Sequence, residues 1–213
     1  SRICEFQDRL KIIIVWTQLR KTTNTYESTI SVPYQTFFQP IHFVSVKPGF
    51  RSDIVDETSV TTSDLEAIVD FEKLGKFSAI FGTGFHLPSF NDLYWPSDPY
   101  SKGNPGLKSE TSDFHILNWN KTFGQGLNFV IEYRNKRSQN LIVWSPDENN
   151  VWKPQNLDRT ERKNLIVSTN LPEIISGMTF SGMLTRTKTK NLNSGKTLQY
   201  VPEISATVML RYT

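Results

Sequence analysis

Hydrophobic and polar positions alternate with period two over most of the chain, and almost nowhere with the 3.6-residue period of a helix. Leu65, Ala67, Val69 and Phe71 fall on one face, against Glu66, Ile68, Asp70 and Glu72 on the other. Phe77, Ala79 and Phe81 oppose Ser78, Ile80 and Gly82. Leu127, Phe129, Ile131 and Tyr133 oppose Asn128, Val130, Glu132 and Arg134. The clearest dyad repeat is the last, Ile204, Ala206, Val208, Leu210 and Tyr212 against Glu203, Ser205, Thr207, Met209 and Arg211. Weaker runs cover 11–19, 26–37, 41–47, 112–121, 141–146, 162–171 and 178–187. The pattern predicts an all-β chain of about 10–12 strands in one antiparallel up-and-down meander, without internal repeats.

The connectors sharpen that picture. Lys73–Lys76 and Phe123–Gly126 are short and contain glycine, as hairpin turns should. The connectors read over 48–62, 85–111, 147–154 and 187–199 are longer and polar. Short and long connectors roughly alternate along the later part of the chain. A transmembrane barrel alternates this way, with short turns at one rim and long loops at the other. A soluble sandwich has no comparable reason to sort its loops by side. Residues 81–112 are too long for an ordinary loop in a compact domain.

Composition narrows the classes further. Of 213 residues, 37% are hydrophobic and 12% aromatic, which suits strands with alternating faces and interfacial rings, and equally a secreted β-sandwich or a carbohydrate-binding module. The net charge of +3 is interspersed, so the basic spots at 134–137 and 159–163 read as solvated strand ends, and no nucleic-acid partner is expected. A single cysteine, Cys4, excludes an intrachain disulfide framework. No window approaches a transmembrane helix, but a spanning strand needs only about 9–11 residues, half of them apolar. His42, His86 and His115 stand far apart, without paired carboxylates or cysteines at metal-binding spacing, and no nucleophile, zinc or phosphate-loop motif occurs. The expectation is no catalytic residue, no cofactor and no metal; Asp92, Asp98 and Glu110 are too sparse for a calcium loop. Ser1–Arg20 holds an apolar run after Asp8, Arg9 and Lys11 but no cleavage site of the secretory type.

Residues 81–112, FGTGFHLPSFNDLYWPSDPYSKGNPGLKSETS, carry a family resemblance. Gly82-Thr83-Gly84-Phe85 ends a strand, Pro88 breaks it, Leu93-Tyr94 follows, and Gly103-Asn104-Pro105, Leu107, Glu110 and Ser112 lead into the next strand. This order resembles the β-barrel of TonB-dependent outer-membrane receptors of the siderophore and cobalamin type. Tyr133, Arg134, Asn135, Leu141 and Ile142 match a further signature of that family, and Trp152–Asn156 another. Departures occur: Ser109 stands where proline is usual, His86 where a base is common, and Arg162–Leu165 where a K-G-x-E start is expected. The match is best over 63–213, within a domain taken as 1–213. The resemblance implies a cell-outer-membrane, multi-pass barrel contacting lipid, and import of an iron chelate or cobalamin. It also implies coupling to the TonB complex through a plug domain. Plug and closing strands have no counterpart here, so the expectation is an internal, incomplete barrel, not transport-competent alone.

Two further readings stay open on the residues alone: a secreted β-sandwich binding module or adhesin, and a passive porin-like barrel. The long loop supplies candidate ligand contacts in His86, Tyr94, Trp95 and Tyr100. Together with Phe90, Trp144 and Trp152, its aromatics read either as an interfacial girdle or as a stacking surface, with the girdle preferred.

Overall fold

The computed structural model describes residues 11–14, 30–55, 58–124, 126–175 and 177–212. They form one ten-stranded antiparallel sheet in which spatial order follows chain order throughout. The strands are β1 (Lys11–Ile14), β2 (Ile30–Ile41), β3 (Val44–Val55), β4 (Thr58–Phe71), β5 (Gly75–His86), β6 (Glu110–Phe123), β7 (Leu127–Pro146), β8 (Trp152–Ile175), β9 (Met178–Asn191) and β10 (Ile204–Tyr212). Every ladder joins sequence neighbours, and none joins β10 to β1 among the described residues, so the sheet is open. Residues 15–19 of the N-terminal run 11–19 and residues 26–29 of the run 26–37 lie outside the described residues.

The register converts the sequence alternation into two distinct faces. Directly opposed residues in an antiparallel ladder point to the same side. One row crosses eight strands as Val44, Val69, Phe77, Trp119, Ile131, Val167, Leu184 and Ala206, without a polar residue. The next row, on the opposite face, reads Ser45, Ile68, Ser78, Asn118, Glu132, Ile166, Thr185 and Ser205. Phe77, Leu117, Leu165 and Leu184 on the apolar face stand exposed, with no second sheet against them. A sandwich would bury that face; a membrane barrel presents it to lipid and turns the polar face to its lumen.

The connectors sort by end. The short connections from β2 to β3, β4 to β5, β6 to β7 and β8 to β9 share one rim. The connectors 87–109, 147–151 and 192–203 share the other. Along the short-turn rim the outward rings of Phe43, Phe71, Phe77, Trp119 and Phe129 follow one another at centroid spacings of 6.0–6.4 Å. This is a girdle of amphipathic and apolar rings at the level where a bilayer meets water. Trp119 also donates its indole N–H to the Leu74 carbonyl (2.9 Å), which ties the girdle to the turn.

Two connectors differ from expectation. The polar stretch 48–62, read as a loop, is mostly the facing ends of β3 and β4, paired from Pro48–Leu65 to Val55–Thr58. Likewise 187–199 gives its first part to β9. In both places the strand runs on beyond the apolar rows, where neither face needs hydrophobic residues and the alternation fades. The same holds for β7, with 20 residues, and β8, with 24, both far longer than the about 9–11 that a membrane crossing requires.

Candidate functional site

The 23 residues between β5 and β6 are folded against the projecting β7–β8 hairpin. After the break at Pro88, Ser89 caps a five-residue helix, α1 (Phe90–Tyr94). The Ser89 hydroxyl accepts from the Asp92 amide (3.2 Å), and the Asp92 carboxylate accepts from the Ser89 amide (2.9 Å), which completes a capping box. The other Asp92 oxygen accepts the indole N–H of Trp144 on β7 (2.8 Å). Partial burial alone would raise the Asp92 pKa, but the bonds from Ser89 and Trp144 and the neighbouring His86 outweigh it and hold the carboxyl below its ordinary 3.8.

The Gly-Asn-Pro segment locks the loop in place. The Asn104 amide nitrogen donates to the carbonyl of Pro154 on β8 (3.0 Å), and its oxygen accepts from the Gly106 amide (3.0 Å). The Asn104 backbone N–H reaches the Asp92 carbonyl at 2.8 Å. Gly103 is required by close approach, since a Cβ there would sit 2.6 Å from both the Leu93 carbonyl oxygen and the Trp95 nitrogen. Downstream, Asn156 of β8 accepts from the Lys108 amide (2.8 Å) and donates to the Lys108 carbonyl (2.9 Å). Lys102 and Tyr100 exchange backbone bonds with Trp152 at 3.0 and 2.7 Å.

Glu110 opens β6 and is buried, at 6% exposure. Its carboxylate accepts from the Lys136 ammonium (2.8 Å) and the Ser138 hydroxyl (3.1 Å) on β7. Upstream, Thr83 accepts from the Ser63 amide (3.0 Å), and Gly82 leaves room for the Phe114 ring, which a Cβ would meet at 2.7 Å. Gly84, Phe85, Leu93, Leu107 and Ser112 are half-buried around these contacts, and Pro105 is exposed at the turn. The motif residues therefore act on the chain itself: they dock a loop.

What the loop displays is aromatic. Phe90, Tyr94, Trp95 and Tyr100 are 62, 51, 43 and 77% exposed. Phe90 lies 5.1 Å from Tyr94, Trp95 stacks edge-on to Trp144 at 6.1 Å, and Trp152 lies 5.8 Å from Tyr200. His86 is exposed at the end of β5, opposite Glu110. The Trp95 indole donates to Ser101 (3.0 Å), and Asp98 accepts from the amides of Tyr100 and Ser101, which hold its pKa below the ordinary value. These rings gather at the long-connector end, away from the girdle, which is formed by other aromatics. Asp92, Asp98 and Glu110 each serve protein donors, and no three of His, Cys, Asp and Glu come together among the described residues.

Residues 45–213 match the family model for the TonB dependent receptor-like β-barrel. The chain belongs to that family. TonB-dependent receptor barrels reside in the outer membrane of Gram-negative bacteria, so the exposed apolar face lies against lipid. Two vitamin B12 transporters named BtuB are similar. That of Photobacterium profundum is 41% identical over 90 residues, 40% of this chain and 14% of that protein. That of Vibrio vulnificus is 38% identical over 87 residues, 40% of this chain and 13% of that protein. Among solved structures, the ferric enterobactin receptor PfeA of Pseudomonas aeruginosa shares the fold. Its TM-score is 0.67 at 18% identity, over 91% of this chain and 31% of that one. The chain thus spans about a seventh of the curated relatives and a third of the structural one.

Sequence reasoning missed α1, although Ser89 and Asp92 at capping-box spacing after Pro88 signal it. It also missed the partners of Glu110, Lys136 and Ser138, which no local pattern marks because they lie 26 and 28 residues away.

Proposed function

We propose that this chain builds part of the barrel wall and the ligand-contacting mouth of a receptor for a large, scarce solute of the cobalamin type. The observation that carries this reading is the set of exposed rings of Phe90, Tyr94, Trp95 and Tyr100 on a loop locked at the long-connector rim. Rings fixed in advance lose little freedom on binding, and a broad planar chelate offers them a face to stack on. His86 lies at the base of the same loop. The likeness to the vitamin B12 transporters favours cobalamin over an iron siderophore. Receptor function further calls for a plug and an energy-coupling partner, and β1 and β10 call for neighbouring strands, since bare sheet edges are not tolerated in lipid. The chain alone is accordingly not transport-competent.

The test is a titration of the detergent-solubilised chain with cyanocobalamin, followed by quenching of tryptophan fluorescence. Trp95→Ala and Tyr100→Ala should each weaken binding about three- to tenfold. Unchanged binding in both variants, or tighter binding of ferric enterobactin than of cyanocobalamin, would refute the reading. Uptake of labelled cobalamin into cells expressing only this chain would refute the claim of incompetence.

A further inference from the structure

The ladder between β4 and β5 stops short. It pairs the strands from Phe71–Gly75 to Asp64–Gly82 and no further, yet β4 begins at Thr58 and β5 runs on to His86. The flanking ladders continue, β3 with β4 to Val55–Thr58 and β5 with β6 to His86–Glu110. A gap therefore opens inside the sheet, between two strands that are each held on their far side. The Ser63 amide donates to the Thr83 hydroxyl (3.0 Å), so a side chain takes the donor that the next ladder rung would use. Because ladder bonds alternate along a strand, Thr61 and Phe85 direct their N–H and C=O groups into the gap. Among the described residues no connector backbone reaches either of them. Other overhanging edges on this rim are covered: Leu192 donates to the Arg159 carbonyl (2.8 Å), Lys102 to that of Trp152 (3.0 Å), and Thr187 to that of Glu203 (2.7 Å). Between β4 and β5 there is instead a cavity of about 440 Å³, lined at this end by Val60, Thr61, Thr62, Thr83, Gly84 and Phe85.

We propose that this gap takes an extended peptide segment of an extracellular protein partner by strand addition. Backbone donors and acceptors left free on a strand edge are matched in spacing by another backbone. Leu65 and Phe81 form the last apolar outward rung of the β4–β5 ladder. The gap opens above that rung, on the water side, where an open edge is tolerated as it is not in hydrocarbon. The edge of β10 differs: it crosses the apolar rows, where a neighbouring wall strand fits. Four residues of β5, Thr83–His86, lack a strand partner on this side, which suits a segment of about four residues, roughly 14 Å long. Thr61, Thr62 and Phe85 beside it suit small, β-branched side chains on that segment. The inference rests on the register and is independent of which solute the loop binds.

The test uses the chain in detergent micelles and a fluorescein-labelled pentapeptide of alternating threonine and valine, followed by fluorescence anisotropy. The peptide should bind saturably, and its binding should slow amide exchange at Thr61 and Phe85 by about tenfold or more. N-methylation of the second and fourth residues removes two donors on one edge of the peptide and keeps every side chain. It should weaken binding about thirtyfold, at about fivefold for each backbone bond lost. Phe85→Pro removes a protein donor that the β5–β6 ladder does not use, and should weaken binding about fivefold. Far-UV circular dichroism checks that this variant keeps its strands; if it does not, the comparison of the two peptides on the unaltered chain decides. Absence of saturable binding, or equal affinity for the methylated and unmethylated peptides, overturns the site. Protection of β10 amides in place of Thr61 and Phe85 also overturns it, because the peptide would then be extending the outer edge of the sheet. Concentration-dependent protection of Thr61 and Phe85 without peptide would assign the gap to a second copy of this chain, and would overturn the peptide as its occupant.

Discussion

Replacing Asn104 by alanine should free the 87–109 loop while leaving the sheet intact. Asn104 makes two side-chain bonds, one across to the Pro154 carbonyl and one within its own turn to the Gly106 amide. Each contributes about 1 kcal/mol net. Pro154 is fully buried, so its carbonyl loses a partner where water has poor access, which adds about 1 kcal/mol at the low end of that penalty. The sum, about 2–3 kcal/mol, acts on local opening because the other loop anchors, at Trp144, Asn156 and Trp152, all lie on the one β7–β8 hairpin. Amide hydrogen exchange reads it directly. The amides of Lys102, Gly103 and Asn104, which donate to Trp152, Trp95 and Asp92, should exchange about 30- to 150-fold faster. Amides of β6 and β7 near Trp119 and Ile131 should not change. As a control, Asn193→Ala removes an exposed bond to Asp158 and should leave the loop as it was. A change under about fivefold at the three loop amides, or an equal acceleration across the sheet, would show that Asn104 is not the clasp.

Other perturbations separate loop, wall and rim. Gly103→Ala pushes a methyl against two backbone atoms at 2.6 Å, and it should expose the loop to limited proteolysis without altering the strand signal. Because the Asp92 pKa is depressed on folding, its contribution to loop stability is present above the ordinary 3.8 and is lost as pH falls through the lower folded value. Trp144 fluorescence should therefore shift in that acid window, and the shift should vanish in Asp92→Asn. Leu117→Arg places a charge on the outward face, inside the girdle toward the bilayer middle, and should cost about 2–4 kcal/mol of membrane insertion, measured by partition between vesicles and urea. Asn118→Arg, on the lumenal face beside the girdle residue Trp119, should cost far less, and equal losses for the two would contradict the assignment of faces.

The sheet was legible because its physics is local. A strand with one face in lipid and one in water must alternate, and Leu127, Phe129 and Ile131 do so where Asn128, Glu132 and Arg134 turn the other way. Legibility ends where the lipid ends. From Pro48 to Ser52, and along Lys188 and Lys190, the strands run on past the apolar rows, so the alternation no longer separates strand from loop, and only pairing with β4 or β8 distinguishes them.

The loop presents the opposite case. Its motif was recognisable as residues in order, yet their purpose depends on partners that no local spacing reveals. Asn104 reads as a turn former until Pro154 lies beside it, and Glu110 reads as a surface acid until Lys136 and Ser138 enclose it. The rings of Phe90, Tyr94, Trp95 and Tyr100 follow the same logic in reverse. As a sequence cluster they suit a membrane girdle, but the docked loop carries them past the apolar rows. The girdle is left to Phe43, Phe71, Phe77, Trp119 and Phe129, at most one per strand and dispersed along the sequence. Aromatics clustered along the chain and aromatics clustered across a rim are thus different signals. A girdle needs rings repeated once per strand at one depth, whereas the 87–109 loop holds its rings together on one docked segment.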